Sequence, residues 1–248
     1  MDTNQGLTII TDQAQDPTKK VIDDTPTGLF SRQANIIRPD ELPKCILIIG
    51  AGGIGSWTAL ALAKMGAQKL MIMDFDSIED VNIAPQFFKM SDIGKFKAEV
   101  LADRINEEMG QKIAEPLVGR WEEWPDKDER IVDVNVLIMA VDSMDVRLNI
   151  WKDIEFAGLD LVVDARMTKE LMEILLVDPS LEEDKKMYAT RLFPSSEVEH
   201  TDCTERAVAY NQFVIAGLIA AQIKHFVKQE LLVKRIFFDL FSFNIIAK

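Results

Sequence analysis

The chain has 248 residues, 48% of them hydrophobic and 28% charged, and its 28 basic and 41 acidic side chains leave a net charge of −13. That composition excludes a disordered or fibrous protein, and a chain this long buries enough surface to need neither disulfide nor metal to hold a core. So acidic a body repels phosphate backbones, which argues against nucleic acid as a general partner. Its two cysteines, in no CxxC pattern, and its two histidines leave too few soft ligands for a structural zinc site.

Residues 1–28 are rich in Asp, Thr, Gln and Pro without hydrophobic periodicity, and read as a flexible N-terminal arm ahead of one domain over residues 29–248. The polar N-terminus shows no secretion signal, and no apolar stretch reaches the roughly 20 residues of a membrane span, so a cytoplasmic location is expected. Residues 44–50 (KCILIIG) predict a buried strand, with Cys45 in the core. A helix over 54–65 follows, stopped by Gly66. Strands are predicted at 69–73, 134–141, 161–163 and 171–177, and helices from Ser91–Asp92 to Met109 and from Met144 to 156. Residues 179–203 are acidic and contain Pro and Ser, as befits a crossing loop. A helix over 204–228 and strands over 231–239 and 241–246 complete the chain, and Asn211–Ala221 suits a core or dimer-interface helix. Apolar strands alternating with helices predict an α/β fold: a doubly wound, mostly parallel Rossmann-like sheet with helices on both faces and a C-terminal antiparallel extension.

Gly50-Ala51-Gly52-Gly53-Ile54-Gly55 satisfies GxGxxG between a strand and a helix. The first glycine makes the turn, the second admits a phosphate to the backbone, and the third lets helix meet sheet, while the helix N-terminus offers amides to the anion. Asp74, at the end of the second strand, is placed to accept from a ribose hydroxyl. Nothing in this loop separates ATP from NAD, so a nucleotide-binding protein and an NAD-dependent oxidoreductase both remain open.

The residues that follow narrow the choice. Asp74-Phe75-Asp76-Ser77-Ile78-Glu79-Asp80-Val81-Asn82-Ile83-Ala84-Pro85-Gln86 and then Gly94-Lys95-Phe96-Lys97-Ala98 resemble the DxDxVxxxNxxRQ and GxxKA segments of the ThiF/MoeB/HesA adenylyltransferase family, which includes the ubiquitin-activating enzymes. Asp142-Ser143-Met144-Asp145-Val146-Arg147 and Ser31-Arg32-Gln33 extend the resemblance, which covers about residues 30–228. It implies an ATP- and Mg2+-dependent adenylyltransferase: a carboxylate, usually the C-terminus of a ubiquitin-like protein, a sulfur carrier or a peptide, attacks the α-phosphorus and pyrophosphate leaves. It further implies that Gly50, Gly52, Gly53, Ile54 and Gly55 line the phosphates, with Asp74, Asp76, Asn82, Gln86 and Lys97 completing the nucleotide site. Asp142 becomes the Mg2+ ligand, and Arg32 reaches ATP from a neighbouring subunit, hence a homodimer.

Several residues keep two readings. Lys97 has a neighbour, Lys95, that could take its place. Asp142 suits a metal or the N-cap of the helix after it. Asp76 could join the metal shell or finish the turn. Cys203 is either an acyl-accepting thiol or a small packing residue, Asp202 and Glu205 opposing the activation that a helix start would give it. Arg166 could steer the incoming carboxylate or pair with Asp164 or Asp142 in the interior. Trp121 and Trp124 read as packing. Pro85 stands where the family has arginine, which removes a cation from the site and makes a non-catalytic, nucleotide-binding scaffold the rival expectation.

Overall fold

The computed structural model describes residues 28–124, 132–155, 157–197 and 208–248. The expected N-terminal arm and Cys203 therefore lie outside the described residues, apart from Gly28. The strands are β1 (Ile46–Ile49), β2 (Leu70–Asp74), β3 (Ala114–Val118), β4 (Val136–Met139), β5 (Leu161–Thr168), β6 (Leu171–Val177), β7 (Arg235–Asp239) and β8 (Asn244–Ala247). The helices are α1 (Gly53–Met65), α2 (Lys97–Met109), α3 (Met144–Ile154), α4 (Glu182–Ala189) and α5 (Ala209–Val227), with short 3-10 turns between them. All eight strands form one sheet in the order β3-β2-β1-β4-β5-β6-β7-β8. The first five are parallel, and β6 to β8 extend the sheet antiparallel. This is the expected α/β architecture.

The period-2 alternation of strands sends each apolar run to both faces. Ile46 and Ile48 of β1, Leu70 and Ile72 of β2, and Val136 and Ile138 of β4 pack with α1, α2 and α5. Leu47, Ile49, Met71, Met73, Leu137 and Met139 face the other layer, built from α3, Tyr188 of α4, Trp121 and Trp124. Each such side chain taken out of water contributes about 2 kcal/mol before the cost of ordering it. Gly66 and Gly110 close α1 and α2 in the left-handed region, at φ +101° and +66°.

Several elements differ from the sequence expectation, among them β7 and β8, which begin at Arg235 and Asn244 rather than at 231 and 241. β3 has no counterpart among the predicted strands; it carries Pro116, tolerated because β3 is the sheet's edge. α2 begins at Lys97 rather than at Ser91–Asp92, because Asp92 caps a 3-10 turn through the Lys89 amide and Gly94 turns the chain at φ +86°. β5 runs on through Asp164-Ala165-Arg166, since β6 pairs antiparallel with that stretch. The crossing segment holds a helix, α4, whose fully buried Tyr188 anchors it to the sheet.

Candidate nucleotide-binding site

The glycine loop leaves β1 and enters α1, and its four glycines meet different surroundings. Gly50 has φ +98°, and a Cβ on it would stand 2.6 Å from the Ala140 carbonyl oxygen at the end of β4. At Gly55 a Cβ would fall 1.8 Å from the Gly50 oxygen, so this glycine lets helix meet strand. Gly52 faces open space, its nearest neighbour being Gln86 Nε2 at 4.0 Å, whereas a Cβ on Gly53 would come 3.1 Å from the Gln212 side chain. Ile54 packs into the core and offers the site its backbone amide alone. No side chain caps the first turn of α1, so its leading amides are without a side-chain partner.

Asp74 ties this loop to the exit of β2. Its Oδ2 accepts from the Ala51 amide at 2.6 Å and its Oδ1 from the Asp76 amide at 2.8 Å. Burial pushes its carboxyl above the usual carboxylate range, against the pull of those two amides and of Lys97. Asp76 in turn receives the Lys97 ammonium at 2.9 Å, and the Lys97 amide donates to the Asp76 carbonyl at 2.9 Å. A continuous chain of contacts thus runs from glycine loop to lysine. Lys95 pairs instead with Asp92 at 3.6 Å, away from this chain.

The segment after Asp76 folds back over the loop and is pinned by α1. Ser56 Oγ accepts from the Phe87 amide at 3.1 Å, and Trp57 Nε1 donates to the Pro85 carbonyl at 3.0 Å. The Asn82 side chain accepts from the Glu79 amide and its carbonyl from the Gln86 amide, which shapes the turn. Gln86 Oε1 is buried without a hydrogen-bond partner and lines a cavity of about 710 Å3 beside Trp57, Phe87 and Phe213. Arg104 does not replace the arginine absent at position 85: it holds the segment through the Phe87 carbonyl and Asp92.

Asp142 follows β4 on the same rim, two residues beyond the Ala140 that presses on Gly50. It is exposed, with no hydrogen-bond or ion-pair partner among the described residues. Ser143, not Asp142, caps α3, its Oγ accepting from the Val146 amide at 3.4 Å. Of the two readings of Arg166, the interior ion pair is the one observed. Asp164 is fully buried between Arg147 at 2.8 Å and Arg166 at 2.6 Å, and accepts from the Tyr188 hydroxyl at 2.9 Å. Burial alone would raise the Asp164 carboxyl, but the two guanidiniums hold it below the usual range. Trp121 and Trp124 pack in the core, as does Cys45.

Arg32 is not brought to this site. It is exposed in a 3-10 turn, and its neighbour Gln33 donates to the Met65 carbonyl at the far end of α1, about 18 Å from the glycine loop at 1.5 Å per residue.

The ThiF family profile matches residues 32–246. The chain belongs to the ThiF family. It is 39% identical over 132 residues to the NEDD8-activating enzyme E1 catalytic subunit of Arabidopsis thaliana, a match covering 48% of this chain and 28% of that protein. It is 40% identical over 81 residues to the tRNA threonylcarbamoyladenosine dehydratase of Haemophilus influenzae, covering 31% of each. These ThiF-family matches span about a third or less of the curated relatives. Among solved structures, PaaA superposes with a TM-score of 0.68 at 20% identity, over 94% of this chain and 86% of that one. E. coli MccB crystallised with ATP gives 0.63 at 20% identity, over 85% and 65%. At such identity these likenesses speak for the ThiF fold.

The residues present fit a nucleotide: space above Gly52 with Gln86 Nε2 at its edge, helix amides without a side-chain cap, and at Asp142 a carboxylate without a partner among the described residues. Among the described residues of this ThiF-family chain, no group of three or more His, Cys, Asp or Glu could hold a metal ion. Mg2+ takes much of its shell from phosphate and water, so one carboxylate suffices for it. No described helix is long and apolar enough to cross a membrane. Ser56, Trp57 and Gln212 belong to no element of the nucleotide motif, and their signal is their place on helices bordering the glycine loop.

Proposed function

We propose that the chain activates a carboxylate with ATP, forming an acyl-adenylate and releasing pyrophosphate. The observation that carries this reading is the placing, at neighbouring strand exits, of an open glycine loop, a lysine held by Asp76 and an Asp142 without a partner among the described residues. A carboxylate oxygen attacks the α-phosphorus while its bond to the bridging oxygen breaks, so the site must hold a crowded polyanion and needs little base catalysis. The amides at Gly52, Gly53 and Ile54 would donate to phosphate oxygens, and Lys97 would balance the charge that develops there. Asp74 would accept from the ribose. Asp142 would hold Mg2+, which when bound supplies further charge neutralisation on the phosphates.

The acceptor is proposed as the C-terminus of a small ubiquitin-like protein, sulfur carrier or peptide, in line with the NEDD8-activating relative. Lys97 and Asp142 have no task in hydride transfer, which disfavours the NAD reading. Because Arg32 stands at the wrong end of α1 to serve its own loop, any role for it requires a second copy, and we infer a homodimer. ATP–pyrophosphate exchange dependent on a candidate carrier tests the reading; no exchange with any carrier at saturating ATP sinks it. Pro85 favours one alternative, a nucleotide-binding scaffold without turnover, which predicts ATP binding without exchange.

A further inference from the structure

Strands β1, β2 and β3 are consecutive neighbours, so their carboxyl ends form a row about 4.8 Å apart. With phosphates on the loop after β1 and ribose on Asp74 after β2, the base falls to the third place, at the exit of β3. There the Gly119 amide donates to the Asp74 carbonyl at 3.3 Å. The next residue, Arg120, lays its guanidinium over the Phe75 ring, with Cζ 3.5 Å from the ring centroid. Phe75 directly follows the ribose acid, is 44% exposed and joins neither core layer. Arg120 is exposed and has no ion-pair partner among the described residues. Core packing therefore explains neither side chain.

We propose that Arg120, supported on Phe75, is the platform on which the nucleotide base stacks, an inference that rests on the nucleotide reading above. A guanidinium is flat and stacks through both faces. Phe75 takes one face, which leaves the other for the base. Stacking of this kind accepts any base, so Arg120 contributes affinity for a nucleoside over a bare polyphosphate, and the choice among bases lies elsewhere.

Calorimetric titration of ATP and of inorganic tripolyphosphate into wild type, Arg120→Lys and Phe75→Leu tests this, with melting curves to confirm folding. Arg120→Lys keeps the charge and loses the plane: ATP should bind about tenfold more weakly while tripolyphosphate stays within twofold of wild type. Phe75→Leu should weaken ATP binding in the same direction by a smaller factor, again sparing tripolyphosphate. ATP affinity unchanged in Arg120→Lys overturns the platform alone, as does an equal loss for both ligands, which would mark a charge effect. A wild type that fails to bind ATP overturns the nucleotide reading and the platform with it.

Discussion

The ammonium of Lys97 lies 2.9 Å from Asp76, and the two side chains differ sharply in exposure, 9% for the lysine and 47% for the aspartate. The lysine is placed before any nucleotide arrives, and its charge is partly cancelled by the group that places it. Asp76→Asn should therefore raise ATP affinity severalfold in low salt, with and without Mg2+, by removing a negative charge beside the phosphates. Calorimetry in both conditions checks this; a loss of affinity confined to Mg2+ would instead assign Asp76 to the metal. Lys97→Met should lower pyrophosphate exchange by at least about 100-fold while leaving the fold intact.

The glycines of the loop separate into two classes of variant. Gly52→Ala adds a methyl to open space at an ordinary φ of −79°, so melting should stay near wild type while ATP affinity falls at least tenfold. Gly55→Ala drives a methyl into the Gly50 carbonyl, and should cost several kcal/mol or prevent folding outright. Melting temperature and ATP titration on the two variants decide it.

Asp142 and Ser143 are adjacent yet should fail in different assays. Asp142→Asn removes no contact seen in the structure, so stability should hold while Mg2+-dependent exchange is lost. Ser143→Ala removes the cap of α3 and should cost about 1 kcal/mol in urea unfolding, with a smaller loss of exchange.

The Asp164 cluster sets a pH dependence. Its carboxyl titrates below the unfolded value of about 3.9, so its stabilisation is complete above that pH and is lost as pH falls through the depressed native value. Asp164→Asn should destabilise by roughly 3 kcal/mol at pH 7, because two buried guanidiniums lose their counter-charge. The gap from wild type should narrow as unfolding is followed down to about pH 3. A gap that widens in acid would contradict this sign.

Gly50, Gly55, Gly66 and the apolar runs of β1, β2 and β4 were legible because each is a local demand, a turn, a close approach or a buried strand, written in consecutive residues. β3 was not legible because it is a five-residue edge strand whose exposed Glu115, Pro116 and Val118 break the apolar run that marks the buried strands. Asp92 looked like the start of α2, since its bond to Arg104 spans 12 residues and no short window contains both. Asp76 to Lys97 spans 21 residues and Ser56 to Phe87 spans 31, so the side chains that fasten the site were visible only once the chain was folded. Lys97 and Asp142 were found through family resemblance. Arg120 and Phe75 had no such signal: the motif gives position 75 no role, and Arg120 follows the strand that went unread.

The clash that a methyl at Gly55 would make with Gly50 is internal to the scaffold and indifferent to any ligand. A descendant that had abandoned chemistry altogether would still be compelled to keep Gly55, and Gly50 for its own φ of +98° and its approach to Ala140, whereas the methyl-sized vacancy over Gly52 would be released from constraint. For telling working members from retired ones, position 52 is therefore informative and positions 50 and 55 are mute.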